Sequence, residues 1–175
     1  MKVICITGKA GHGKDTYARF LKRELEERGK RVIVTHYADL VKYVCRQFCD
    51  WNGEKDENGR ALLQRVGTDI FRRKNPDFWT DFVLDVLEAF PERWDYVLIP
   101  DVRFPNEYLG PVRRGFETTL VRIVRPDMQS ALTEAQQKHA SECSMDAWPA
   151  DITVVNGGTM EDLRTEAFRT AKNFN

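Results

Sequence analysis

The chain predicts an α/β fold of three layers, α/β/α, built on a five-stranded parallel sheet. Three observations carry this. Five short apolar runs are separated by helical segments, the pattern of a parallel sheet covered on both faces. The first run leads directly into a glycine-rich loop and then a helix. Polar residues stand at or just past the carboxyl ends of the runs, where open α/β sheets bind ligands.

Each element follows from its residues. Residues 2–7 (KVICIT) are short and β-branched, so they form a buried strand that ends at Gly8. Residues 15–28 form a helix, with Ala18, Leu21 and Leu25 at helical spacing and Gly29 as its stop. Residues 31–36 (RVIVTH) make the second strand. A helix covers 39–49, a loop 51–59 (WNGEKDENG), and a further helix about 60–73. Asn75-Pro76 reads as an N-cap with proline in the first helical position. Trp79, Phe82, Val83, Val86 and Phe90 then trace one apolar face. The third strand, 96–100 (YVLIP), ends at Asp101. The fourth, 118–124 (TTLVRIV), ends at Arg125-Pro126, and the fifth, 152–155 (ITVV), at Asn156-Gly157-Gly158. Thr159 opens the last helix with Asp162 in capping-box position, and Met160, Leu163, Ala167 and Ala171 form its buried stripe.

A chain of 175 residues is one domain by length, with enough surface to bury a core. Lysine plus arginine and aspartate plus glutamate both number 27, so no global field favours a nucleic-acid polymer or a membrane. No apolar run approaches the ~20 residues of a membrane span. MKVICITG runs into a glycine loop where a signal peptide would need a cleavage site. The expected compartment is the cytoplasm, which suits four free cysteines. Cys45 and Cys49 lie four apart on a helix, but no further ligands stand at zinc spacing.

Residues 8–15, GKAGHGKD, match G-x-x-x-x-G-K between a strand and a helix. Glycines let the backbone fold around an anion, and the N–H groups and the helix N-terminus point at phosphate oxygens. Donor binding is expected at Gly11, His12, Gly13, Lys14, Asp15 and Thr16. Lys14 would follow the moving phosphoryl group as a point charge. The plain alternative is a glycine turn beside a solvent lysine, but loop, lysine, strand and helix all stand in register. Asp15 occupies the place of the usual magnesium-binding hydroxyl, so it would hold the metal directly or through water. Asp101, after an apolar strand, stands where a second magnesium-binding carboxylate is expected; a helix cap is the plain reading. Arg103 would face the same crevice.

GKAGHGKDT, LLQRVGTDIFR, PDFW, DVRFPNE and HASE, in that order, resemble the deoxynucleoside monophosphate kinases of bacteriophages and bacterial genomes. The resemblance runs from Gly8 to the final helix, and that family also carries GKD in its phosphate loop. It implies the nucleoside monophosphate kinase type of P-loop fold, with ATP as donor, Mg2+ as cofactor and a (deoxy)nucleoside monophosphate as acceptor. It implies acceptor binding around Gln64, Gly67, Thr68 and Arg72, then Asp101 and Arg103. A guanidinium grips phosphate bidentately, so Arg72 becomes a candidate clamp. Asp39 and Lys42, just past the second strand, face the acceptor or merely cap and solvate a helix. Phe78 and Trp79 stack on a base or join the core.

The expected layout is a single kinase domain over 1–175, with an acceptor-binding segment at about 39–90 and a lid at about 126–142. A lid excludes water and so favours transfer over hydrolysis. Arg125 at its root is the third catalytic candidate, after Lys14 and Asp101. Arg122 reads as structural, and His139 and Glu142 of HASE have no derivable role. Besides an inactive P-loop binding module, which intact Lys14, Asp101 and Arg125 argue against, two alternatives stand beside this reading. One is another phosphorylated acceptor such as dephospho-coenzyme A. The other is a regulatory nucleotide switch, against which neither N-K-x-D nor D-x-x-G occurs in place. The residues leave a homodimer open.

Overall fold

In the computed structural model, which describes residues 1–174, β1 (Lys2–Thr7) runs through the middle of the sheet. Its side chains allow nothing else: Val3, Ile4, Cys5 and Ile6 are apolar on both faces and wholly buried. Parallel neighbours flank it, β3 (Tyr96–Val102) on one side and β4 (Glu117–Val124) on the other. β2 (Val32–Val34) and β5 (Ile152–Val155) close the edges in the order β2-β3-β1-β4-β5. All five expected strands are present and all pair in parallel.

Strand alternation divides the core in two. Ile4 and Ile6 face α1 (Lys14–Glu26) and α8 (Met160–Ala171), where Tyr17, Leu21, Leu163 and Ala167 meet them. Val3 and Cys5 face the opposite layer, which holds Tyr37, Val41, Trp79 and Leu84 from α2 (Ala38–Phe48), its N-cap, and α4 (Phe78–Ala89). Removing a fully buried side chain such as Leu21 would cost about 2–5 kcal/mol.

Several boundaries differ from expectation. β3 continues to Val102, so Asp101 lies inside the strand's end. The loop expected over 51–59 already contains the start of α3 (Glu57–Gln64), because Asp56 caps it through the Gly59 N–H at 2.7 Å. α3 runs on into a π-helical segment, Arg65–Arg72, whose wider turn resets which residues share a face. Asn75 does not cap α4. Its Oδ1 accepts from Asp77 N in a local turn, and the helix starts at Phe78.

The apolar face proposed for α4 is also corrected. Trp79, Val83, Leu84 and Leu87 are buried, whereas Phe82, Val86 and Phe90 are exposed. The helix carries two apolar stripes, and packing chose one. In α8 the Thr159–Asp162 capping box forms as expected, but Met160 is exposed and Thr170 joins the buried face. α5 (Pro105–Arg113) follows β3. Between β4 and β5 stand two short helices, α6 (Glu134–Lys138) and α7 (Ala140–Cys143). Among the described residues no helix is long and apolar enough to cross a membrane.

Candidate active site

The glycine loop leaves the end of β1 against its neighbour. At Gly8, with φ of +144°, an added Cβ would stand 2.3 Å from the Ile123 carbonyl oxygen of β4. Only glycine lets the chain turn there. Gly13, at φ 94°, is the N-cap of α1, and Asn156 Nδ2 donates to the His12 carbonyl at 3.0 Å to hold the turn from β5.

Lys14 opens α1 and folds back into the loop. Its Nζ donates to the carbonyls of Gly8 at 2.8 Å and Lys9 at 2.9 Å, and the residue is only 7% exposed. Burial, and then the nearby Arg103 charge, push its pKa down to about 7. The ammonium is largely desolvated and held by neutral carbonyl acceptors.

Next to it, Asp15 is largely exposed at the helix N-terminus and accepts from His36 Nε2 at 2.9 Å. That bond holds the Asp15 carboxyl below the usual range and raises His36. His36 Nδ1 lies 3.4 Å from Asp39, which also pairs with Lys42 at 2.7 Å. Asp101 accepts the N–H groups of Tyr37 and Ala38, one on each oxygen, at 3.1 and 2.9 Å. It therefore ties down the start of α2, not the helix that follows it in sequence. Each oxygen keeps unused lone pairs. An exposed Asp15 and a half-satisfied Asp101 fit Mg2+, which takes one or two carboxylates plus phosphates and water.

A cavity of about 410 Å³ lies beside the loop. Gly11, Lys14, Asp15, Lys42, Gln64, Thr68, Arg72, Asp101 and Arg103 all line it, so most of the predicted residues converge. Asp39 stands behind Lys42, outside the lining. Thr16 does not line the cavity, and its hydroxyl accepts from Arg19 at 3.4 Å. His12 and Arg125 sit on the far side of the loop: His12 Nδ1 lies 3.1 Å from the Ile123 carbonyl oxygen and 3.3 Å from Arg125 N. The Arg125 side chain is exposed and does not line the cavity.

The far wall is carried by α3 and the π-helical segment. Trp79 Nε1 donates to the Gly67 carbonyl at 2.8 Å, and an added Cβ on Gly67 would crowd Val41 at 3.3 Å. Trp79 is thus core that also touches the cavity; Phe78 packs on it and on Phe71. Arg72 forms an ion pair with Glu107 and lies 4.5 Å over the Phe104 ring. Glu107 is 1% exposed and also accepts from Arg103 N at 2.5 Å and Phe104 N at 3.0 Å. Burial pushes its carboxyl up, and Arg72 pulls it back. One carboxylate thereby caps α5, shapes the loop that carries Arg103, and fixes Arg72.

Glu142, in α7, ties the segment between β4 and β5 to the phosphate loop. It pairs with Arg103 at 2.6 Å and accepts the Ala10 N–H at 3.2 Å, while its carbonyl accepts from Lys9 Nζ at 2.6 Å. Gln136 Nε2 donates to the Glu57 carbonyl at 3.3 Å, and His139 lies 3.7 Å from Asp69. His36, Lys55, Arg60, Glu107 and Glu142 were not assigned from sequence, though all five line the cavity. Only the DVRFPNE and HASE motifs gave a signal, and for the last two alone.

Comparison with known proteins bears on the fold and the family. The family model of deoxynucleotide monophosphate kinases matches residues 30–167, a stretch that begins after the phosphate loop. The deoxynucleotide monophosphate kinase of enterobacteria phage T4 is 30% identical over 123 residues, 69% of this chain and 48% of that protein. The chain thus spans about half the length of the curated relative it matches. Two solved structures share the fold. A sugar kinase of Janibacter sp. is 14% identical, covering 97% and 93% of the two chains with a TM-score of 0.59. The Mycobacterium tuberculosis APS kinase bound to AMPPNP and APS is 12% identical, covering 98% and 97% with a TM-score of 0.54. Sheet order, glycine loop and family match point the same way: the chain belongs to the deoxynucleotide monophosphate kinase family.

Proposed function

We propose that the protein transfers the terminal phosphoryl group of ATP to a nucleoside monophosphate, a deoxynucleotide by preference, giving the diphosphate and ADP. The observation that carries this is the shared cavity. It sets the desolvated Lys14 of a phosphate loop against a wall of polar and cationic side chains, Gln64, Thr68, Arg72 and Arg103.

The donor phosphates take the loop N–H groups and the N-terminus of α1. Lys14 exchanges its loop carbonyls for phosphate oxygens and regains full charge. Asp15 and Asp101 are the carboxylates that would hold magnesium, directly or through water; bound there, the ion neutralises phosphate charge and orients the donor. On the acceptor side, Gln64, Thr68, Arg72 and Arg103 receive the monophosphate, with Lys42 at the margin and Asp39 steadying it. Such transfer depends on alignment and charge, with little covalent work for the protein. The lid over 126–142 excludes water, and Arg125 at its root would swing inward with the donor. We read the chain as one domain working in the cytoplasm, where its four thiols stay free.

The test is a coupled assay with ATP, magnesium and a panel of ribo- and deoxynucleoside monophosphates. Saturable turnover on at least one deoxynucleotide is expected. ADP release that ignores every monophosphate would mean an ATPase, and the reading would be wrong.

A further inference from the structure

The cations around the cavity differ in what already holds them. Arg72 gives one nitrogen to Glu107 and another to the Pro76 carbonyl at 3.1 Å. Arg103 gives Nη1 to Glu142, Lys42 is paired with Asp39, and Lys14 is held by two carbonyls. Two cations differ. Lys55 also has no side-chain partner at bonding distance among the described residues, but it is exposed. Arg60 is half-buried on α3 and lines the same cavity. Among the described residues its guanidinium meets no carboxylate, carbonyl or ring.

This is not a shortage of acids, since the chain has as many as it has basic residues. Asp56 lies one turn earlier and spends its carboxylate on the Gly59 N–H. A half-buried guanidinium on the cavity wall, with no protein partner among the described residues, is free to pair with an anion that enters. Gln64 stands one turn further along α3 and Thr68 another, so the three line the same wall.

We propose that Arg60 anchors the phosphate group of the acceptor monophosphate. This rests on the kinase reading above. The donor phosphates have the loop N–H groups and Lys14, whereas α3 packs on α2 and the π-helical segment. Among the described residues all five N–H donors of Arg60 are unspent, while Arg72 and Arg103 enter the reaction with theirs partly committed. Arg72 then becomes mainly a wall that Glu107 holds in place, and Arg60 the grip.

The experiment is calorimetric titration of the full chain without ATP. The probes are the tightest-binding deoxynucleoside monophosphate of the panel, its nucleoside at millimolar concentration, and ATP separately. Arg60→Ala should weaken the monophosphate by roughly 30- to 150-fold, the worth of one charge-assisted bidentate contact. The nucleoside and ATP should change little, and Arg60→Lys should recover only part of the loss. Thermal stability should not fall, because Arg60 has no protein partner to abandon. An unchanged monophosphate affinity overturns the proposal, as does an equal loss for the nucleoside or a loss confined to ATP. A wild-type chain that binds ATP but no monophosphate overturns the kinase reading itself, and the role of Arg60 with it.

Discussion

The two halves of the cavity prepare for anions by opposite means. On the proposed donor side the backbone does it: glycines at 8, 11 and 13 take positive φ, and the N-terminus of α1 borders the loop. On the acceptor side charged side chains do it, and each of the two arginines nearest the sheet is braced by a carboxylate far away in sequence. Glu107 holds Arg72 across 35 residues, and Glu142 holds Arg103 across 39. A backbone cradle is rigid and local. A side-chain cradle is built from long-range pairs, and its charges are neutralised by them.

The largest effects should fall on the donor half. Chelation of magnesium should abolish transfer, and added magnesium should restore it. Chelator-resistant turnover would remove Asp15 and Asp101 from the mechanism. Lys14→Ala should lower turnover by about 10²- to 10³-fold or more, because the lost charge is one that the moving phosphoryl group needs. Its fold should survive, and thermal unfolding should show no loss of stability, since a desolvated ammonium is removed.

The acceptor half should respond differently. Arg72→Ala leaves the Glu107 carboxylate buried and unpaired, which should cost about 3–5 kcal/mol in denaturant unfolding. Glu107→Gln in the same background should return part of that. If Arg72→Ala keeps full stability and only weakens the monophosphate, then Arg72 is a substrate clamp and the contrast between the halves is lost.

Lys14 also makes the donor half sensitive to pH. Its pKa in the folded chain is about 7, below the ordinary lysine value. Between the two values the unfolded chain holds a proton that the folded chain has shed, so this residue makes stability rise with pH from about 7 upwards. The penalty is complete below that point. Phosphate binding restores the charge, so above pH 7 ATP binding should take up a proton and weaken as pH rises. Calorimetry in buffers of different ionisation heat measures the uptake, and Lys14→Arg should remove it.

The smallest effect joins the halves. Glu142 places a carboxylate on a phosphate-loop N–H, against the charge a donor brings. Glu142→Gln should tighten ATP several-fold, on the scale of about 1 kcal/mol for one such bond. Weaker ATP binding by that variant would show that Glu142 supports the donor site.

The sequence alone determined what depends on near neighbours. Five apolar runs specified five parallel strands, because a strand buried on both faces must be apolar throughout. Gly8, Gly13 and Lys14 specified the loop, since left-handed backbone and a tight approach exclude other residues. The cap at Thr159 was legible for the same reason, being a contact across three residues. Tertiary structure decided the rest. Asp101 looked like the end of a strand and proved also to tie down α2, some 63 residues away. Arg125 followed the right strand but lies outside the cavity. α4 offered two apolar stripes, and only packing against the sheet chose between them. Whether Arg60 is free and Arg72 paired is likewise absent from local pattern. It depends on which carboxylate the fold brings within bonding distance, a fact of three-dimensional proximity that spacing along the chain does not encode.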